Sequence, residues 1–230
     1  MNRTLFLHEE IVLLTLSDEK GTALTEWLCT ATAGAVLAEL LLAGRIRIET
    51  VGKKHLVRVV GTERLGNEVV DHFLDRLAKE PKQRSLQSWI ERLSRTKDLK
   101  GRVARPLVTD GLLEEVQDTI LFVFPRTRYP EADGPPETEI VERLRHAIFT
   151  DASDVDARTV TLLSLAHATG LLKHHFPKTE LKERKARIEA LVSGELAGSE
   201  VGAAVSEMIE TLHAVILVTC FLPIFTTVVT

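Results

Sequence analysis

The sequence predicts a mainly α fold, one globular helical domain over residues 1–230 carrying small β-hairpins. Three observations point there. Aromatics make up only 5% of the chain, so the core must be built from Leu, Val, Ile and Ala, a composition that favours helices over an all-β sandwich. Most of the chain reads as long segments with apolar residues at helical spacing, punctuated by Gly and Pro. Only two short regions carry strand patterning, and each has a turn signal inside it.

From the N-terminus, Leu5 to Leu16 is apolar on one face, with Glu9 and Glu10 expected on the other, and Asp18-Glu19-Lys20-Gly21 reads as a turn. Leu24 to Ala43 is a long apolar helix in which Ala33-Gly34-Ala35 permits close approach of a neighbour, and Gly44 stops it. Arg45 to Glu49 alternates polar and apolar, and His55 to Val60 is rich in β-branched residues. Gly52-Lys53 between them predicts a hairpin over 45–60. Asn67 to Ala78 and Ser85 to Arg95 are amphipathic helices. Leu99 to Asp110 is a third, weakened by Gly101 and Pro106 and closed by Gly111. A second hairpin follows over 112–124, with Gln117-Asp118 as its turn and hence an acidic tip, Glu114 to Asp118. Pro125 to Pro136 reads as a loop, after which helices are expected over Glu137 to Phe149, Asp154 to His174, Lys178 to Ser193 and Gly198 to Phe221. Leu212 to Thr230 holds no charged residue, but Thr219, Thr226 and Thr227 dilute it and Pro223 interrupts it. The expectation is a buried core helix ending near Pro223 and a short apolar tail, not a membrane anchor.

The charge pattern is uneven. Lys79 to Arg105 holds nine basic and three acidic residues, a local surplus of six positive charges in a chain whose formal net charge is −4. Such a segment is suited to an anionic partner: a lipid head group, a membrane surface or a nucleic acid. Trp89 within it is a side chain fit for an apolar–polar boundary.

The catalytic inventory is thin, and no enzyme activity, cofactor or metal is expected. His8-Glu9-Glu10 begins like a metalloprotease helix, but position 12 is Val where the second His would stand. His174 and His175 are adjacent and diverge on a helix; His167 lies in an apolar run and reads as a core residue. Neither a nucleophile elbow nor a glycine-rich phosphate loop occurs. Cys29 and Cys220 sit in apolar context and read as small buried hydrophobes of a reducing compartment. His8, Glu9 and Glu10 interrupt any signal-peptide core.

Four stretches, in register over nearly the whole chain, resemble the Golgi phosphoprotein 3 family. They are Leu5 to Leu14 followed by Asp18 to Gly21, Gly34 to Leu40 followed by Gly44-Arg45-Ile46, Arg102 to Gly111 with its trailing hairpin, and Leu165-Ala166-His167-Ala168. The chain is similar to a short bacterial member. The resemblance implies a peripheral, cytoplasmic, membrane-associated adaptor that binds phosphatidylinositol 4-phosphate or another anionic lipid. Implied partners are that lipid, cytosolic tails of membrane proteins and further copies of the chain; nucleic acid is not expected. The family's aromatic falls at Trp27 and its paired Arg at Lys97 and Lys100, with Arg102 alongside, so the implied lipid site is Trp27, Lys97, Lys100 and Arg102. A further family Arg is replaced by Ala33. Lys supplies charge without the planar fork that grips phosphate bidentately, which predicts broad sensing of anionic membranes. The alternative is a winged-helix-like nucleic-acid binder using the basic helix 97–110 and hairpin 112–124, against which stand the acidic tip and a pI near 6.1.

Overall fold

A computed structural model describes residues 3–16, 23–24, 27–120, 124–132, 135–153, 155–195 and 203–221. The expected turn at Asp18 to Gly21, the expected helix starts at Asp154 and Gly198 and the apolar tail 222–230 lie outside the described residues. The described residues form eleven helices and two small antiparallel sheets, mainly α with short hairpins as the sequence predicts.

Helix α2 (Leu28–Leu42) occupies the centre, and its apolar character all round follows from that place: α1 (Leu7–Thr15), α4 (Leu86–Ser94), α7 (Ala157–Ala168) and α11 (Ala203–Phe221) all pack on it. Gly34 is the point of closest approach. A Cβ there would stand 2.7 Å from Ile216 Cδ1 and 3.2 Å from Leu165 Cδ2, so the absent side chain lets α7 and α11 meet α2. Gly44, at φ +66°, ends α2 in the left-handed conformation that glycine adopts without a Cβ penalty.

Strands β1 (Ile46–Val51) and β2 (Lys54–Val59) form the first predicted hairpin, in register Ile46 with Val59. A two-residue strand β3 (Arg84–Ser85) adds to β2 and was not legible as a strand, because two residues carry no alternation. Helix α3 (Glu68–Ala78) starts where Asn67 Oδ1 accepts from the amides of Val69 and Val70. Helix α4 starts on a similar bond from Ser88 N to Ser85 Oγ. Helix α5 (Leu99–Thr109) runs through Gly101 and Pro106 unbroken, held by burial of Leu99, Val103, Ala104 and Leu107 along one face.

The second hairpin is shifted from its expected place. Strands β4 (Val116–Ile120) and β5 (Phe124–Arg128) pair in register Val116 with Arg128 and Ile120 with Phe124. Gln117 and Asp118 are therefore strand residues, paired with Thr127 and Arg126, and do not form the expected acidic tip; residues 121–123 lie outside the described residues. Pro125 to Arg128, expected as loop, is strand. Proline is tolerated because a two-stranded ribbon offers each strand a free edge.

The rest is helical: α6 (Pro135–Phe149), α7, α8 (Leu172–His175), α9 (Lys178–Glu183), α10 (Lys185–Val192) and α11. Single helices were expected over Asp154 to His174 and Lys178 to Ser193. The first breaks at Gly170, which has φ +71°, and the second at Arg184. Along α11, Ile209, Leu212, Ile216 and Cys220 are buried, while Val218 on the opposite side is exposed. One face of that helix is core, as expected, and the other is not. Among the described residues no helix is long and apolar enough to cross a membrane.

Helix α1 departs most from expectation. Glu9 and Glu10 are not on a solvent face: both are buried with His8, and every residue of the helix is closed off. Arginines from outside the helix are brought to them, Arg3 from just before it and Arg143 from 133 residues beyond Glu10. Arg3 donates to Glu9 at 2.7 Å and Arg143 to Glu10 at 2.8 Å. Arg158 donates to Glu39 at 3.0 Å and to the Leu5 carbonyl, while Glu39 also accepts the Leu7 amide at 2.7 Å. The network pins the start of α1 to α2 and α7.

Candidate functional site

The basic segment divides once folded. Glu80 pairs with Arg84 at 3.0 Å and Arg92 at 3.5 Å, and Asp98 with Arg105 at 2.9 Å. These local ion pairs absorb part of the surplus and contribute little stability at the surface. Trp89 is not a boundary residue: it is 3% exposed in the core, with the Arg92 guanidinium 5.7 Å from its ring centre.

The predicted site residues divide as well. Lys97 is exposed just ahead of α5. Lys100, in the first turn of α5, is half-buried, with Nζ 5.3 Å above the ring of Tyr129, itself 3% exposed. Burial pushes the Lys100 ammonium below its usual range, the charge of Arg126 on β5 lowers it further, and Cys29 on α2 acts weakly the other way. Trp27 caps the N-terminus of α2, half-buried against the core, two residues before Cys29. The start of α2, the start of α5 and strand β5 therefore meet at Lys100. Arg102 is two residues further along α5, roughly 200° around the helix. Its charge falls on α3, where, after burial, it helps hold the His72 imidazole below its ordinary range. The structure thus gathers Lys100 with the Trp27 end of α2, leaves Lys97 exposed beside α5, and turns Arg102 toward α3. Ala33, where the family resemblance has an Arg, is fully buried.

Arg126 was missed. The loop expected from Pro125 onward hid it, although Arg126-Thr127-Arg128 continues the alternation of a strand. Arg126 stands opposite Asp118 in the ribbon.

Other polar clusters are structural or lack a full ligand set. His167 and His213 stack, Nδ1 of one 3.0 Å from Nε2 of the other; burial and, for His213, its partner hold both below the usual range, His213 at about 4. Among the described residues no group of three or more His, Cys, Asp or Glu is placed to hold a metal ion. A cleft of about 240 Å³ beside β2 and α3 is lined by Arg58, Glu80, Lys82 and Arg84.

The chain matches the model of the Golgi phosphoprotein 3 (GPP34) family over residues 7–211.

Proposed function

Because the chain belongs to the Golgi phosphoprotein 3 family, we propose that it is a peripheral membrane adaptor that binds the anionic head group of a phospholipid, of which phosphatidylinositol 4-phosphate is one candidate. The observation that carries this reading is the meeting of cationic and apolar groups at one corner. Lys100 is half-buried over the Tyr129 ring and feels the charge of Arg126, Lys97 is exposed just ahead of the same helix, and Trp27 stands at the start of the adjoining α2. Cations attract the head-group layer, each contributing on the order of 1 kcal/mol near an anionic surface. An aromatic at a helix start is suited to the shallow apolar boundary beneath it.

The test is vesicle co-sedimentation across phosphatidylglycerol, phosphatidic acid and phosphatidylinositol 4-phosphate in a phosphatidylcholine background. The parent is expected to bind, with affinity falling as salt rises. Joint replacement of Lys97, Lys100 and Arg102 by Ala is expected to weaken binding by roughly a hundredfold, three cations at on the order of 1 kcal/mol each. Equal binding by the triple variant would sink the reading. A mobility shift with duplex DNA, run in parallel, is expected to show no complex. A DNA complex with vesicles left unbound favours the winged-helix alternative.

A further inference from the structure

We propose that the hollow between α7, α8, α9 and α10 binds a medium-chain carboxylate, a single apolar chain ending in one carboxylate group. The hollow shares no residue with the head-group corner, and the inference stands apart from the reading of that corner.

Shape comes first. A cavity of about 260 Å³ is lined by His167 at the end of α7, Leu172 and Lys173 on α8, Leu181 on α9, and Lys185 and Ile188 on α10. The chain turns at Gly170, also in the lining, with φ +71°, so α8 does not continue α7 and the hollow lies at that turn. Leu172 and Ile188 are buried and Leu181 is half-buried, giving apolar walls from three helices. Pockets for drug-sized ligands run from about 300 to 1,000 Å³, so a nucleotide or a two-chain lipid is too large. A water molecule takes about 30 Å³ of liquid and a methylene is close to that size, so the space holds a chain of roughly eight carbons.

Charge comes second. Lys173 and Lys185 are both exposed at this hollow, and among the described residues no carboxylate lines it. The Lys173 ammonium folds back over the turn, its Nζ 3.6 Å from where a Cβ at Gly170 would stand. Lys185 meets Glu189 at 3.5 Å, one turn on along α10. Both partners are well exposed, and so weak a pair yields to a ligand carboxylate. An apolar wall with a cationic mouth therefore selects an anionic end over an alcohol or an amine.

His167 adds a neutral polar edge. Burial holds it below its ordinary range, with Glu189 acting weakly the other way, and its Nδ1 lies 3.0 Å from His213 Nε2. His213 is not in the lining, so any hydrogen bond that His167 donates to an occupant comes from Nε2. A neutral ring donating there must accept at Nδ1, from the Nε2–H of His213. A carboxylate accepting from His167 thereby fixes the tautomer of both rings.

The test is isothermal titration calorimetry with sodium butanoate, hexanoate and octanoate. Octanoate is expected to bind with a Kd on the order of 0.1–1 mM, a modest affinity per ligand atom. Each added methylene is expected to tighten binding about fourfold. Octan-1-ol, equal in chain but uncharged, is expected to bind roughly fivefold more weakly than octanoate. Lys173→Gln with Lys185→Gln should bring octanoate down to the level of the alcohol. Leu181→Trp, which fills the hollow from its half-exposed wall, should abolish binding of both. Lys182→Gln removes one charge from the exposed side of α9, outside the lining, and keeps the parent affinity. Thermal melting by circular dichroism establishes that each variant is folded. In spectra of protein carrying nitrogen-labelled histidine, the His167 and His213 resonances should move together as octanoate is added. A parent that binds no octanoate at several millimolar overturns the inference, as does an affinity that ignores chain length. Parent-like octanoate binding in either the folded double variant or folded Leu181→Trp overturns it as well, by placing the ligand elsewhere.

Discussion

Between α1, α2 and α7, three carboxylates, Glu9, Glu10 and Glu39, are closed from water; Arg3 meets Glu9 from six residues away, and Arg143 and Arg158 reach Glu10 and Glu39 from more than a hundred. At the α2–α5–β5 corner, Lys100 and Arg126 stand beside each other, half-buried, with like charge. The first region satisfies its charges internally, and a buried pair of this kind tolerates loss of neither partner. The second places its cations at a half-buried corner open to the surface, where an external anion can add to the partners they have within the fold. Sequence position gives no hint of this division. Glu10 looks like a solvent residue because its partner Arg143 is 133 residues away, and Glu9 because its partner Arg3, though only six residues off, precedes the helix. The Lys79–Arg105 run looks like one basic surface, although Glu80 and Asp98 pair with three of its arginines.

The comparison breaks most visibly at Arg158. Replacing it with Ala leaves Glu39 and Glu10 buried with part of their compensation gone, and is expected to destabilise the fold by about 3–5 kcal/mol in urea denaturation. Vesicle binding by the remaining folded protein should not change. A loss below about 1 kcal/mol would place this network among ordinary surface ion pairs and erase the contrast.

His8 sharpens the same side. It is fully buried, neither ring nitrogen meets a partner among the described residues, and burial lowers its pKa to about 4. The unfolded chain takes up this proton near pH 6.5 and the folded chain only near 4. The stabilisation is therefore complete above pH 6.5 and is lost as pH falls through that window, on the order of 3 kcal/mol in all. Glu10 works in the opposite sense, since burial raises its pKa and protonation relieves it. Comparing the parent with His8→Leu isolates the His8 share. The difference in stability between the two proteins should change with pH between 6.5 and 4 and be flat above. A constant difference would mean that His8 titrates normally and is not enclosed.

On the surface side, the four residues expected to act together should act unequally. Lys100 sits in the cluster and Arg102 on the α3 side, so Lys100→Ala should cost vesicle affinity roughly fivefold to tenfold and Arg102→Ala less than about threefold. Equal losses would show that the membrane reads total charge over the whole face and not the corner.

Much of the architecture was legible because helix periodicity and glycine stops are local signals. Asn67 and Ser85 mark helix starts, Gly44 and Gly111 mark ends, and Gly34 marks the close approach at the centre. What stayed hidden depends on pairing at a distance. The β4–β5 register could not be read from residues 112–124, since turn-like Gln117-Asp118 in fact lies within β4, opposite Thr127 and Arg126. That displacement hid Arg126. Lys100 was legible through family resemblance; its neighbours Tyr129 and Arg126 were not, because only the folded ribbon brings them there.

The two cysteines provide the finest test, one in each kind of environment. Cys220 is fully buried on α11, and burial pushes its thiol up to about 12. Cys29 is half-buried at the start of α2; burial raises it too, but the Lys100 ammonium pulls in the other direction. Thiolate is the reactive form, so alkylation by iodoacetamide should proceed slowly at Cys29 and be undetectable at Cys220 until the chain unfolds. Anionic vesicles should slow Cys29 further, because a head group held at Lys100 covers this corner and neutralises the charge that favours the thiolate. Neutral phosphatidylcholine vesicles should leave the rate unchanged, and Cys220 reports any vesicle-induced unfolding. Protection of Cys29 by anionic vesicles, lost in Lys100→Ala, ties binding to this corner of the molecule. If anionic vesicles bind while Cys29 reacts at its free rate, the membrane meets another face, and the pairing of Lys100 with Arg126 is a feature of the fold alone.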